Sequence, residues 1–356
     1  QLFIMKKVAL MIMVVLSSMI VFAQKPNKAE MKQLQAFLSQ PAEKAATNAE
    51  ALNITDLNNP NTWEGVTVVN GQITAINWKN KKIAGDLDLS GFASLQKVDV
   101  SRNKLTSIKV AKDVALTDLN ASRNKLVTAD FTGATALTNL SINNNRLVDV
   151  VIASAPVLKN FNCSNNYFVT LDLSGSPELT TLNCQGNHLE SLSVADCPKL
   201  KNLYCGYNKL SEVNLFGATG LTNFNCDDNR IANMMIQGLP SLSTFICSDN
   251  NMKGLALKDC KNLLDLVCSY NDLTSLSVSG CPQLLFVDCS YNDLTSLTLS
   301  NQTFLQRILC NNNQLTMLDV SFDQNLTYIN CRFNTITDFR TEACPNLHMI
   351  ACNWGF

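Results

Sequence analysis

Histidine is nearly missing from this chain. His188 and His348 are the only two in 356 residues, so acid–base catalysis and nitrogen-rich metal centres lack their commonest side chain. Charge is thin as well. Lys and Arg number 28 against 29 Asp and Glu, a formal net charge of −1, and no basic block stands out. Nucleic acid and anionic membrane are therefore poor partners. Beyond residue 23 no segment is long and apolar enough to span a bilayer.

The one long apolar run comes early. Residues 1–4 precede Met5 and read as upstream sequence. From Met5 the chain runs MKKVALMIMVVLSSMIVFAQ, with Lys6 and Lys7 ahead of the apolar stretch Val8–Phe22. Val21 and Ala23 supply the small residues that precede a cleavage point, which makes 5–23 a signal peptide and Gln24 the expected mature start. An uncleaved helix is the bland alternative. No cysteine follows the cut, which argues against a lipid anchor. The reading is an exported protein, extracellular or at the cell surface.

What the chain has in abundance is asparagine, leucine and cysteine in fixed phase. Asn103, Asn124, Asn145, Asn166, Asn187, Asn208, Asn229, Asn250, Asn271, Asn292, Asn313 and Asn334 follow one another at 21 residues without an insertion. Three places before the marker stand Cys163, Cys184, Cys205, Cys226, Cys247, Cys268, Cys289, Cys310, Cys331 and Cys352; earlier coils put Val100, Ala121 and Ile142 there. The phrase LxxLxCxxNxLxxLxL is clearest at Leu179–Leu192. Inward residues two apart in L-x-C make a short strand, and Leu192 and Val194 repeat that spacing on the far side of the coil. A lone coil cannot bury its apolar edge, so the period predicts a strand-rich, α/β-type leucine-rich repeat solenoid with few helices beyond an N-terminal cap. The asparagine is expected to close the turn as donor and acceptor to backbone groups of its own and the next coil.

Residues 24–59 read as a helical cap. Met31, Leu34 and Leu38 lie at helical spacing, and a second, Ala-rich helix is expected from Pro41. Residues 60–94 read as an atypical capping coil that turns at Asn70-Gly71, with Ile76 and Trp78 in the L-x-C places and Lys81 where the marker should be. Regular coils fill 95–356. The last has Gly355 at the marker place and stops at Phe356; an open core end favours a chain cut short, with terminal aromatics closing the core as the alternative.

The fourteen cysteines of an exported chain could pair. Ten of them, however, occupy a slot that other coils fill with Val, Ala or Ile, so packed free thiols are expected there. Zinc needs ligands that converge, whereas this spacing draws a line. Cys197, Cys260, Cys281 and Cys344 share a second phase, and pairing of Cys260 with Cys281, on consecutive coils, stays open.

The residues Leu182, Cys184, Asn187, Leu189, Leu192 and Val194, with their copies, resemble the cysteine-ladder leucine-rich repeats of the internalin J-like type. The segment W-x-G-V-T-V-x-N-G at Trp63–Gly71 resembles the leading segment of secreted leucine-rich proteins of the Bacteroidetes. The resemblance implies buried, unpaired ladder thiols and a surface or adhesive role. The chain departs from those relatives in showing no sorting signal.

Function must come from exposed positions. Numbered back from each marker, places six, four, two and one are expected on the strand face. Early coils fill them with small polar residues, among them Ser101, Asn120, Ser122, Asn143 and Ser164. Later coils carry Phe286, Arg307 and Tyr328 at minus six; Tyr204, Ile246, Val267 and Leu309 at minus four; and Tyr207, Tyr270, Tyr291, Phe333 and Trp354 at minus one. Aromatics beside an arginine suit recognition. The candidate ligand-binding set is therefore Tyr204, Tyr207, Val267, Tyr270, Phe286, Tyr291, Arg307, Leu309, Tyr328 and Phe333, with scattered surface apolar residues as the alternative. Asp227, Asp228 and Asp249 could attract calcium or form a solvated edge, and the second reading is preferred. No cofactor, metal centre or enzyme chemistry is expected. A protein ligand leads, a glycan ligand or a passive surface spacer follows, and nothing fixes the oligomeric state.

Overall fold

The computed structural model describes residues 27–150, 152, 156–299 and 302–352. The leader at 5–23 and Trp354, Gly355 and Phe356 lie outside the described residues.

Helix α1, Lys28–Leu38, is started by the Asn27 side chain and buries Met31, Leu34, Phe37 and Leu38. It also buries Glu30, which the apolar spacing did not foretell. The second helix is shorter than the Ala-rich sequence suggests. Helix α2 covers only Asn48–Ala51, opened by the Thr47 hydroxyl. The fully buried Asn48 amide donates to the carbonyls of Phe37 and Ala84 and accepts from Ala84 N–H. This tertiary anchor, together with the cap at Thr47, sets where the helix starts. Upstream, Glu43 N–H donates to Lys82 O, so that segment runs along the first coil instead of winding up.

Strand β1, Val66–Val69, turns back into β2, Gln72–Asn77, through Asn70 and Gly71, both at positive φ. Phe37 stacks on the buried Trp78 ring at 5.8 Å, joining the helix to this first coil. From β2 onward the chain is a solenoid. One 15-stranded sheet takes one short strand from each coil, parallel throughout after β1. The middle residue of each strand points inward. Leu182 sits in register between Phe161 and Leu203, and all three are buried. Burying a leucine or phenylalanine fully is worth about 1.5–3 kcal/mol, and a one-residue slip would turn the whole row outward. The far side of the coils forms four separate sheets of two or three strands, with the core between.

All twelve marker asparagines make the same set of bonds. Asn187 Nδ2 donates to the carbonyls of Cys184 and Gln185 in its own coil and of Cys163 in the coil before, while Oδ1 accepts from Phe168 N–H. The inter-coil bonds thus reach back to the preceding coil, not forward to the next. Lys81, in the marker place of the capping coil, has no amide to offer; its N–H donates to Asn103 and its ammonium pairs with Glu64 at 2.7 Å.

The ladder cysteines from Cys163 to Cys331 are buried, and Cys352 is half-buried at the end. All fourteen thiols are free. Cys184 and Cys205 direct their sulfurs at the carbonyls of Tyr204 and Asn225 in the next coil. Burial pushes Cys184 and Cys289 up to about 12 and drives Cys163, Cys226 and Cys268 well above the ordinary thiol range. Thiol titration in denaturant without reductant should therefore find at least the ten ladder thiols free, and native titration at neutral pH should find few. Five or more disulfides in the unreduced chain would contradict this packing.

Candidate functional site

The exposed face of the long sheet is built from two columns, with a turn beyond. After β2 each strand of this sheet has three residues, so minus six opens it, minus five is buried and minus four ends it. Along the minus-six column the early coils form a polar ladder: Asn139 donates to Asp118 at 2.7 Å and Asn160 donates to Asn139 at 2.7 Å. Asn223 donates to Asn202 in the same way further on. The character then changes. Phe286, Arg307 and Tyr328 are in register on successive strands, and the Arg307 guanidinium lies 5.6 Å from the ring centroid of each aromatic neighbour. A cation held between two rings is worth about 0.5–2 kcal/mol per contact and fixes a long side chain in place. Met349, 54% exposed, continues this column. The phase of the repeat carried that signal, and the sequence reading passed over it.

The minus-four column holds Tyr204, Val267 and Leu309, each ending its strand and half-buried. The minus-one residues differ from expectation. They stand on the turn past the strand, beyond the minus-four column. Tyr207, Tyr270, Tyr291 and Phe333 all adopt left-handed backbone, with φ between 54° and 56°. This conformation lets consecutive N–H groups reach the next coil: Tyr207 N–H donates to Asp227 O and Asn208 N–H to Asp228 O. Glycine enters it freely, whereas a residue with a Cβ loses roughly 1–2 kcal/mol. Coil 187 uses Gly186 there at φ 65°, and early coils use Arg102, Arg123 and Asn144. Four late coils place a large ring at the same strained point.

Tyr270 and Tyr291 stack with centroids 4.4 Å apart and planes 8° from parallel. Burial first, then the neighbouring Tyr291, raises the Tyr270 phenol above its usual range. In both aromatic groups, then, one face of each ring is turned toward a neighbour. Tyr207 and Phe333 are more exposed than either stacked tyrosine.

Asp227 is half-buried over Gly206, where an added Cβ would meet its Oδ1. Burial, and after it the charges of Asp228 and Asp249, raise its carboxyl above the ordinary range. Among the described residues no three acidic, cysteine or histidine side chains converge as metal ligands. His188 stacks on Tyr167 at 5.6 Å, and His348 Nδ1 lies 2.7 Å from the Asn346 carbonyl. The far side holds a feature the sequence reading missed: Phe216 and Met235, each more than 70% exposed, flank a cleft where the second-side sheets are interrupted.

No protein-family model matches the chain, and no curated protein matches it in sequence. Solved structures do match. YopM from Yersinia enterocolitica WA-314 is 23% identical with a TM-score of 0.63, over 79% of this chain and 62% of that one. The plant peptide hormone receptor RGFR1 in complex with RGF2 is 19% identical with a TM-score of 0.50, over 75% of this chain and 57% of that one. The functional domain of InlJ from Listeria monocytogenes, which includes a cysteine ladder, is 24% identical with a TM-score of 0.44, over 74% and 68%. The chain thus spans less than two thirds of the YopM and RGFR1 chains it matches. Fold and ladder together define the class: this is a leucine-rich repeat solenoid whose coils carry a buried cysteine ladder. Among the described residues no helix is long and apolar enough to cross a membrane.

The strain at minus one can be measured. Tyr207 is 57% exposed and no ring stacks on it among the described residues. Tyr207→Gly should raise stability by about 0.5–1 kcal/mol in denaturant titration. A loss of stability would show that packing of the ring, not the backbone, decides this position.

Proposed function

We propose that this protein is an exported, non-enzymatic recognition module that binds a protein partner across the strand face of its later coils, from Tyr204 to Phe333, in an adhesive or receptor-like role. The observation that carries the reading is the change in one column from a polar ladder to Phe286–Arg307–Tyr328 while the buried positions keep one character throughout. Core packing does not require that change. Four exposed aromatics at the minus-one places, Tyr207, Tyr270, Tyr291 and Phe333, add to it. RGFR1 uses the same fold to hold a peptide hormone. The leader pattern at 5–23 supports export.

A protein partner is favoured over a glycan by ring orientation. Sugars stack on open ring faces, whereas here Tyr270 and Tyr291 cover one face of each other and Arg307 lies against both Phe286 and Tyr328. Pre-stacked side chains lose little entropy on binding, as suits aromatic anchors in a protein interface.

The test compares two triple variants at identical phases. Tyr270→Ala, Tyr291→Ala and Arg307→Ala together should weaken binding by roughly 1–4 kcal/mol. Lys97→Ala, Arg102→Ala and Arg123→Ala on the early coils should change it little. The partner is taken from a pull-down with the mature chain run beside a glycan array, and both variants are titrated against it. Loss of binding in the early variant alone, or a glycan as the only specific ligand, would contradict the proposal.

A further inference from the structure

The second cysteine column behaves differently from the ladder. Cys197, Cys260, Cys281 and Cys344 lie ten residues after their markers, just past the far-side strands. Where such a cysteine stands alone, its thiol donates to a carbonyl of the coil before: Cys197 to Leu173 O at 3.3 Å, Cys344 to Val320 O at 2.9 Å. Cys260 and Cys281 stand on consecutive coils. The strands leading into them, Gly254–Lys258 and Ser275–Ser279, pair residue for residue up to Lys258 and Ser279. The next residues, Asp259 and Gly280, both turn left-handed, and the Asp259 carboxylate packs where a Cβ on Gly280 would be. The two cysteines therefore follow in the same register, and neighbouring parallel strands set their Cα atoms about 5 Å apart, inside the range a disulfide spans. Their only carbonyl contacts are long and local, 3.8 Å to Lys258 O and 3.7 Å to Ser279 O. The two thiols lie against each other across the coil boundary.

Cys281 also lines a surface depression with Asp259, Lys261, Pro282, Gln283 and Gln302. We propose that Cys260 and Cys281 are a reactive dithiol that exchanges with external disulfides to form a staple between the two coils, Cys281 attacking first and Cys260 resolving. The order follows from access: Cys281 borders the depression, whereas Cys260 is not among the residues that line it. Both thiols are buried, though less deeply than the ladder thiols, and Cys281 borders a depression with a lysine on its rim, the setting disulfide exchange needs.

With oxidised glutathione as oxidant the step balances. The Cys281 thiolate bonds to one glutathione sulfur, the glutathione disulfide breaks, and one glutathione leaves as thiolate and takes up the Cys281 proton. The Cys260 thiolate then bonds to Cys281 Sγ, the mixed disulfide breaks, and the second glutathione leaves with the Cys260 proton. Two protein thiols are oxidised to one disulfide, and one glutathione disulfide is reduced to two thiols.

The test treats the folded full chain with oxidised glutathione, blocks it with iodoacetamide in denaturant without reductant, and maps the peptides. The expected result is a Cys260–Cys281 linked peptide and loss of alkylation at those two positions, with the ladder cysteines alkylated in full. Cys260→Ser should trap Cys281 as its glutathione adduct, and Cys281→Ser should leave Cys260 unmodified. Full alkylation of both cysteines in the oxidised wild-type chain would overturn the proposal, and so would equal adducts in the two variants. The wild-type map decides the matter even if a serine variant folds poorly.

Discussion

The solenoid depends on one side chain that is donor and acceptor at once. A turn repeated every 21 residues brings the same carbonyls and N–H groups to the same buried place, and unpaired groups there would each be left at a loss of about 1–3 kcal/mol. The marker asparagine satisfies four of them. Its Nδ2 serves carbonyls in two coils and its Oδ1 takes an N–H from the coil before, as at Asn208, which bonds to Cys184, Cys205, Gly206 and Leu189. Serine is too short for that reach, and aspartate has no N–H. Because the amide spans two coils, it fixes the register from one to the next, and the leucine rows and thiol ladder then fall into line.

The same constraint shapes the exposed surface. The turn that presents its N–H groups to the next coil holds the residue before each marker on left-handed backbone. That position is structurally expensive for anything but glycine, and at Tyr207, Tyr270, Tyr291 and Phe333 it is exposed. The strand face is the reverse: rigid, unstrained and free to vary. Residues at displayed phases can thus vary while the inward ones stay fixed, and the late coils carry Arg307 and aromatic rings there.

Much of the fold was legible because exact periodicity leaves few alternatives. The asparagine step gave the coil, the L-x-C spacing gave the strand, and Val, Ala and Ile at the cysteine slot showed that the thiols pack as apolar groups. The residues missed were those set by contacts between distant segments. Residues 41–47 looked helical, but the buried Asn48 tethers to Phe37 and Ala84 and the helix starts only there. Glu30 stood outside the apolar spacing, yet it is buried near Asp113, a fully buried carboxyl that burial first and Glu30 second push up to about 8. In the candidate site the phase of each residue was legible, but its conformation was not. Nothing in the letters says that Tyr207 is left-handed, or that Arg307 lies between two rings.

The measurement that bears most directly on this account is the stability of Asn208→Asp in the middle of the array. Aspartate keeps the shape and the acceptor but turns a second oxygen toward the carbonyls of Cys184, Cys205 and Gly206. If the amide is the link between coils, denaturant titration at neutral pH should show a loss of about 2–5 kcal/mol. The loss should shrink as the pH falls and the carboxyl gains a proton it can donate, since burial against carbonyls raises its pKa in the folded chain and the protonated form is the one that fold favours. A variant as stable as the parent at neutral pH would mean that the leucine rows alone set the register, and that the asparagines merely decorate the turn.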